Sequence, residues 1–307
     1  MSRLSHRQAP RPTVQALIVS TARRLSGARL HYGHGTDNAR DDAAALVLHA
    51  MRRAGQLPAA ALARRVPEAA RVRLEALLQR RIRERVPVVY LTQRCWFAGL
   101  PMFVDERVLI PRSPIAELIE RRFVPWVQPE RVRRILDLGT GSGCIAIACA
   151  RAFPRARVDA TDVSTAALAV ARINIARHRL QRRVRARNAD LFTGIKAARY
   201  DMIVSNPPYV REGELQGLPA EYRHEPRLAL AAGRDGLDAV RGILRDAAAH
   251  LNEAGILIVE VGDTERALRR AFPRVPFLWL AFRRGGGGVF LLSREQLVAH
   301  AAGLTSR

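Results

Sequence analysis

The sequence predicts an α/β fold, in which a mostly parallel sheet is flanked by helices and preceded by a small domain of helices alone. Two observations predict it. From residue 111 onward, short apolar runs of strand length alternate with runs of helical length, which is typical of a parallel sheet. Before residue 87, apolar residues recur at the spacing of amphipathic helices. The chain has 307 residues, enough for two such domains.

The N-terminal region, residues 1–86, is predicted to be a helical domain. After a disordered tail that ends near Pro12, apolar residues recur at helical spacing over three stretches, residues 14–25, 39–53 and 67–85. His31 and His34 lie between the first two helices. Because no third ligand is close to them in the sequence, we expect no metal site.

Residues 87–110 are predicted to link the two domains as a β-hairpin, with Gly99 at its turn and strand-like runs at 88–91, 95–97 and 101–104. The sheet domain then occupies residues 111–307. One of its strands ends near Asn188, and the others are predicted at residues 134–138, 157–161, 201–205, 255–261, 277–280 and 289–292. The last two are expected to form a closing antiparallel pair joined by the flexible run Gly285–Gly288.

Glycine and acidic residues follow three of these strands where each strand ends. The loop Gly139-Thr140-Gly141-Ser142-Gly143 lies between a buried strand and an apolar helix, and its glycines allow close backbone approach to a ligand. Asp162 ends the next strand, where an acid binds ribose hydroxyls or caps a helix. Asp190 and Leu191 follow the third strand and are placed to line an adenine. Cys144 stands where the dinucleotide fingerprint has its third glycine, which argues against a dehydrogenase.

The stretch Asn206-Pro207-Pro208-Tyr209 is the most informative motif. It directly follows a predicted strand, and its two prolines cannot continue the sheet ladder. The Asn206 carboxamide can accept a hydrogen bond from an amino group, and Tyr209 offers a flat wall beside it. This pair suits a planar amide or an aromatic amine. The alternative interpretation is a strand end followed by a proline turn.

Together these motifs resemble the class I methyltransferase fold, a Rossmann-like, doubly wound sheet that binds S-adenosylmethionine. The resemblance implies cofactor contacts from the glycine loop, the acids and the asparagine, namely Gly139, Thr140, Gly141, Gly143, Asp162, Asp190, Leu191 and Asn206. It implies that the catalytic residues are Asn206, Pro207 and Tyr209.

Segments outside these motifs resemble the protein glutamine methyltransferases. Pro111-Arg112-Ser113-Pro114 stands where the release-factor branch of that family has Pro-Arg-Pro. The Ser-Pro form looks like the ribosomal-protein branch, as do residues 31–40, 221–226 and 233–238. The resemblance runs from about Leu30 to about Leu292. It implies methylation of a glutamine in large-subunit ribosomal protein three, with release factors or nucleic-acid amino groups as alternatives.

The chemistry expected of such a site is orientation rather than deprotonation. A glutamine amide is a poor nucleophile because its nitrogen lone pair is delocalised, and no histidine or lysine adjoins the motif. The Asn206 oxygen and the Pro207 carbonyl can accept both amide hydrogens and align the nitrogen with the methyl group. Tyr209 is expected to pack against the amide plane. The helical domain is expected to recognise the protein substrate, with a passive structural cap as the alternative.

The composition of the chain limits which partners and which cellular location are expected. The net charge of +23 favours attraction to RNA or a ribosomal assembly, so we expect proximity to ribosomal RNA. Lys196 is the only lysine, and the excess of arginine and alanine equally fits GC-rich codon bias. With no bilayer-length apolar run, no secretory signal and three cysteines without metal-ligand spacing, a cytoplasmic enzyme without membrane contact is expected.

Two rival functions remain open on the sequence. A nucleobase methyltransferase needs a stacking platform, and the N-terminal helices show no aromatic stripe that would supply one. A ribosome-assembly factor that keeps the fold without turnover is the rival from another class, and the intact glycine loop with Asn206 argues against it.

Overall fold

The computed structural model describes residues 11–53, 58–195 and 198–305, and the chain divides into two compact units, residues 1–93 and 94–307. The predicted disordered tail falls mostly on residues 1–10, which lie outside the described residues. The Pro12 carbonyl, which is described, accepts a hydrogen bond from Val66 N at 2.9 Å. In the described ranges, every helix is too short or too polar to cross a bilayer.

The first unit consists of helices, which are α1 (Val14–Gly27), α2 (Ala39–Ala50), α3 (Ala59–Leu62), α4 (Glu68–Arg83) and α5 (Val88–Thr92). Side-chain caps begin the first two, because Thr13 Oγ1 accepts from Ala16 N and Asn38 Oδ1 accepts from Asp41 N. Helices α1, α2 and α4 confirm the three predicted helices.

The predicted strand at residues 88–91 is wrong, because this run forms the short helix α5. The Pro87 carbonyl accepts hydrogen bonds from Tyr90 N and Leu91 N at 3.0 and 3.2 Å, which closes the first helical turn. Val88 to Leu91 are all buried. A short apolar run that is buried on every side has no period that separates a helix from a strand, so the β-branched valines were misleading.

The second unit opens with a hairpin of two strands, β1 (Cys95–Phe97) and β2 (Leu100–Met102), which pair antiparallel. Gly99 lies at the turn with φ +71°, as the predicted turn requires. Trp96 points away from the buried face of β1, and 58% of its surface is exposed. The hairpin therefore presents a large aromatic side chain to solvent.

The remainder of this unit is a sheet with flanking helices. Its strands are β3 (Arg134–Leu138), β4 (Arg157–Asp162), β5 (Val184–Asn188), β6 (Tyr200–Ser205), β7 (Leu251–Glu260), β8 (Leu278–Trp279) and β9 (Val289–Ser293). Its helices are α6 (Ile115–Glu120), α7 (Cys144–Ala152), α8 (Thr165–Arg177), α9 (Asp238–His250), α10 (Glu265–Ala271), α11 (Arg294–Ala299) and α12 (Ala301–Thr305).

The strands lie in the order β5-β4-β3-β6-β7-β9-β8. The first five are parallel, whereas β9 runs antiparallel to both β7 and β8. Consecutive residues of β6 and β7 are buried, so both faces of the sheet are covered. The predicted α/β fold, with a doubly wound sheet and a closing antiparallel pair, is confirmed.

The sheet changes direction beside β3. From β3 the chain adds strands outward through β4 and β5, and it then returns to place β6 on the opposite side of β3. Leu138 at the end of β3 lies beside Ser205 at the end of β6. The connections that leave these two strands diverge, which opens a crevice at their carboxyl ends.

Candidate functional site

This crevice holds a cavity of about 870 Å³, a volume typical of small-molecule sites. Its wall brings together eight of the predicted site residues, which are Gly139, Thr140, Gly141, Asp162, Asp190, Leu191, Asn206 and Pro207. As far as the structure describes the chain, two predicted residues, Gly143 and Tyr209, lie off this wall. Residues from two further segments, 107–113 and 226–245, also line the cavity.

The glycine loop turns its backbone toward the cavity. Gly139 and Gly141 have φ of +68° and +53°, and a Cβ atom built at either would meet no atom within 4 Å. Thr140 fixes the loop between them, because its N–H donates to the Thr161 carbonyl at 2.8 Å and its hydroxyl donates to Asp137 at 2.6 Å. A bound molecule can therefore approach this backbone closely.

Gly143 meets a different requirement. Its φ is +80°, and a Cβ atom there would lie 3.2 Å from the Ala171 Cβ of α8 and 3.5 Å from the Ile147 side chain. The missing side chain lets the start of α7 lie against α8. Close helix contact, rather than a place on the cavity wall, accounts for this glycine.

Asp162 lines the cavity and also ties two backbone segments together. Its carboxylate accepts from Gly141 N at 2.9 Å and from Ser164 N at 2.8 Å. The cap of α8 is Ser164, whose side chain accepts from Ala167 N, so capping does not account for Asp162. Burial raises the pKa of Asp162, and the two backbone hydrogen bonds oppose that shift. Each carboxylate oxygen retains a lone pair for a ligand hydroxyl.

Asp190 and Leu191 form the wall beyond β5. Leu191 has φ +47°, an unusual value for a branched side chain, and its Cδ1 atom would lie 2.5 Å from a Cβ built at Gly242 of α9. Glycine at that position of α9 therefore makes room for Leu191. The Asp190 carbonyl accepts from Thr193 N at 2.8 Å, and its side chain is exposed at the cavity edge.

Asn206 is the first residue after β6. The strand end is fixed to β3, since the Ser205 hydroxyl donates to the Leu138 carbonyl at 2.8 Å. The Asn206 Oδ1 atom is buried and has no hydrogen-bond partner in the structure. An unpaired buried acceptor costs about 1–3 kcal/mol. Because Asn206 also lines the cavity, a small rotation of its side chain would let this oxygen receive an N–H from a ligand.

Tyr209 lies behind the cavity wall. Its ring rests on Gly262, where a Cβ atom would come within 2.6 Å of the ring, and its hydroxyl donates to Glu260 Oε1 at 3.2 Å. Burial and the neighbouring Glu260 raise the pKa of Tyr209 well above its usual value. The phenol therefore stays protonated and anchors the stretch that begins at Asn206.

Glu260 is a site residue that the sequence analysis missed. It ends β7, and its second carboxylate oxygen accepts from the Ser113 hydroxyl. Burial raises its pKa to about 7, although both hydroxyl donors favour the ionised form. Ser113 thus supplies a hydroxyl donor that a proline at this position would lack. An acid that ends an otherwise apolar strand at the ligand-binding edge was the available signal.

Arg112 and Glu225 join the segment before the sheet to the loop after β6. Arg112 donates to the two carboxylate oxygens at 2.5 and 2.7 Å, and Ile110 N donates to the first at 3.2 Å. The Tyr222 ring lies 5.3 Å from the guanidinium carbon. The Glu225 carboxylate is fully buried by these partners. Glu225 is therefore an anchor of the loop after β6.

Asp137 is a second missed residue. It lies in β3, directly before the glycine loop, and one carboxylate oxygen accepts from the Thr140 hydroxyl and from Ala146 N. The other oxygen is buried without a partner in the structure, and burial raises the pKa of Asp137 to about 7. An acid within a buried apolar strand is costly, which marks Asp137 as the support of the loop.

The chain is similar to proteins of known name. Residues 121–220 match the Methyltransferase small domain family. A ribosomal protein uL3 glutamine methyltransferase of Xanthomonas campestris pv. campestris is 48% identical over 293 residues, 95% of each chain. A protein of the same name from Neisseria meningitidis serogroup B is 46% identical over 287 residues, 93% of this chain and 94% of its own. A solved methyltransferase structure from Pyrococcus furiosus is 21% identical, with a TM-score of 0.48 over 64% of this chain and 89% of that one.

Proposed function

Because the chain belongs to the family of ribosomal protein uL3 glutamine methyltransferases, we propose that it methylates the side-chain amide nitrogen of a glutamine in uL3, with S-adenosylmethionine as methyl donor. The observation that supports this most is Asn206. Asn206 lines the cavity at the end of β6, and its carboxamide oxygen is buried without a partner in the structure. An amide N–H is the donor that such an oxygen is suited to receive.

The residues on the cavity wall fit this cofactor. We assign the open backbone of Gly139, Thr140 and Gly141 to its amino-acid part and Asp162 to its ribose hydroxyls. Asp190 and Leu191 are assigned to its adenine. When bound, the cofactor supplies a methyl group on a positively charged sulfur, which is a strong electrophile. Gly143 supports this arrangement by letting α7 begin against α8.

The enzyme contributes orientation to the reaction. The Asn206 oxygen accepts one N–H of the substrate amide, and the Pro207 carbonyl accepts the other. With both hydrogens held, the nitrogen would form its bond to the methyl carbon as the methyl carbon–sulfur bond of the donor breaks, which leaves a neutral thioether. The methylated amide would then pass one proton to solvent water and become neutral again. Alignment of this kind can contribute about 7–11 kcal/mol at best. Tyr209 acts from behind the wall, because its contacts with Glu260 and Gly262 hold the strand end in place.

The helical first unit is proposed to recognise the protein substrate. In the described chain, its helices α1, α2 and α4 contribute no residue to the cavity wall, so their exposed residues are available for another role. The charge of +23 supports contact with ribosomal RNA beside uL3, and a ribosomal protein as substrate supports a cytoplasmic site of action. Hydrogen exchange of the full-length chain checks the first point: added uL3 should protect amides in these helices, and unchanged exchange there would contradict recognition by this unit.

Mass spectrometry tests the proposed function. Ribosomal proteins are compared between cells with the gene, cells without it, and cells that carry the Asn206→Ala variant. We expect one glutamine of uL3 to gain 14 Da only with the wild-type gene. Purified enzyme with isotope-labelled cofactor should label uL3 and leave release factors and RNA unlabelled. Label in a release factor or in RNA would favour the corresponding alternative, and cofactor binding without any transfer would favour a non-catalytic assembly factor.

A further inference from the structure

A second concavity, of about 430 Å³, lies in the second unit beside the cavity. We call it the hairpin groove. One side is the β1–β2 hairpin with Trp96, and the other is the loop of Arg284, Gly285 and Gly286. Its floor is the segment from Pro111 to Pro114 together with Glu117 of α6. Of these residues, only Pro111, Arg112 and Ser113 also belong to the site described above.

The hairpin groove and the cavity share one wall. Pro111, Arg112 and Ser113 line both of them. A glutamine side chain that reaches Asn206 remains attached to a polypeptide, and that polypeptide has to leave the cavity over its rim. The shared wall gives it a continuous surface from the cavity into the groove.

The groove is held in shape by contacts within the protein. Arg112 is paired with Glu225, and the Glu117 carboxylate accepts from the backbone N–H groups of Arg283 and Arg284 at 3.0 and 3.3 Å. At Gly286, φ is +87° and a Cβ atom would lie 3.1 Å from Pro114, so the loop approaches the floor closely. A preformed groove loses little conformational entropy when it is occupied.

Trp96 is the main apolar surface of the groove. It is 58% exposed, and the Arg94 guanidinium carbon lies 5.4 Å from its ring centre. A tryptophan that is exposed beside a preformed groove has the character of an interface hot spot. Both arginines that line the groove in the described chain are paired with acids, Arg112 with Glu225 and Arg284 with Glu120. A phosphate backbone would find no uncommitted cation among them, so the chemistry favours a polypeptide over RNA.

We propose that the hairpin groove binds the extended segment of the protein substrate that adjoins the methylated glutamine, with an apolar side chain of that segment on Trp96. This inference rests on the proposed function, since it assigns a surface to the same substrate.

Steady-state kinetics of full-length Trp96→Ala, Trp96→Phe and Val298→Ala test it. Val298 is 51% exposed on α11 and lines neither cavity. Two substrates are compared, purified uL3 and a pentapeptide centred on the methylated glutamine. With uL3, Trp96→Ala should raise KM by about tenfold, the loss of one moderate hot spot, and leave kcat within twofold. The KM of Trp96→Phe should lie much closer to that of wild type than the KM of Trp96→Ala does. The KM of Val298→Ala should equal that of wild type. With the pentapeptide, which carries only two residues on either side of the glutamine, all four proteins should agree.

The possible failures are distinguishable. Wild-type enzyme that does not methylate uL3 would refute the proposed function and this inference together. Active wild type with an unchanged KM in Trp96→Ala would refute the groove alone, as would an equal rise of KM for the pentapeptide. If Trp96→Ala instead lost affinity for a labelled single-stranded RNA while KM for uL3 stayed constant, the groove would be an RNA site. Thermal melts confirm that each variant is folded.

Discussion

Replacement of Asn206 by alanine should separate activity from stability. The Oδ1 atom is buried and unpaired in the structure, so its removal breaks no hydrogen bond within the protein. A buried acceptor without a hydrogen-bond partner destabilises the folded protein by about 1–3 kcal/mol. Removal of this oxygen should therefore leave the free energy of unfolding unchanged or slightly higher. In the proposed mechanism, the same atom holds one amide hydrogen in the transition state. An oriented polar group of this kind contributes about 3 kcal/mol, which corresponds to about a 10²-fold fall in kcat.

The assay is methyl transfer to purified uL3 at saturating cofactor, with thermal unfolding and calorimetric cofactor binding measured on the same preparation. We expect a kcat about 10²-fold lower and a melting temperature no lower than that of wild type. Cofactor binding must be included because Asn206 lies on the wall of the cavity in which the cofactor is proposed to bind. A near-wild-type kcat would refute the amide clamp. A loss of activity that tracks a loss of stability would show that Asn206 is a structural strand end.

The other predictions concern groups around the cavity. Burial raises the pKa of Glu260 from 4.5 to about 7 in the folded protein. Protonation of Glu260 therefore contributes its whole share to the free energy of unfolding below pH 4.5, and this share is lost as the pH rises through 7. Glu260→Gln cannot titrate, and melts at pH 5 and pH 8 should show a smaller loss for it than for wild type; equal losses would contradict the assignment. Asp162→Ala should weaken calorimetric binding of S-adenosylmethionine more than about tenfold, because a charge-assisted hydrogen bond is lost, and an unchanged Kd would reject the ribose contact. Tyr209→Phe keeps the ring on Gly262 and should lower kcat less than Tyr209→Ala; the reverse order would be contrary to an anchoring ring. Gly143→Ala should lower the melting temperature, because φ is +80° and the new methyl meets α8 at 3.2 Å, while the cofactor Kd stays within twofold.

Much of the site was predictable because it follows the ends of strands. Apolar runs identify the strands, and parallel strands bring their carboxyl ends to one edge, so the glycine loop, Asp162 and Asn206 had to meet. To predict that these residues lie together, it was enough to know their order in the chain and the alternation of strands and helices. The fold class followed from the same alternation.

The remaining features depend on contacts between distant parts of the sequence. Tyr209 follows Asn206 closely, yet its hydroxyl bonds to Glu260, 51 residues away, and that partner turns the ring off the cavity wall. Ser113 and Glu260 are 147 residues apart. No local pattern reports such a pairing. The error at residues 88–91 has another origin, since a run buried on all sides has no amphipathic period to read.

The order of the strands also sets the order in which the crevice can be completed during synthesis. Gly141 and Asp162, whose hydrogen bond ties the cofactor side of the crevice, are 21 residues apart within one continuous run of alternating strands and helices. The contact that fixes Asn206 in place, from Ser205 to Leu138, spans 67 residues and closes a far longer loop. Loop-closure entropy grows with length, so a chain emerging from its N-terminus is expected to form the Gly141–Asp162 contact before the Ser205–Leu138 contact. The growing polypeptide should therefore complete the wall proposed for the cofactor before the strand end proposed for catalysis.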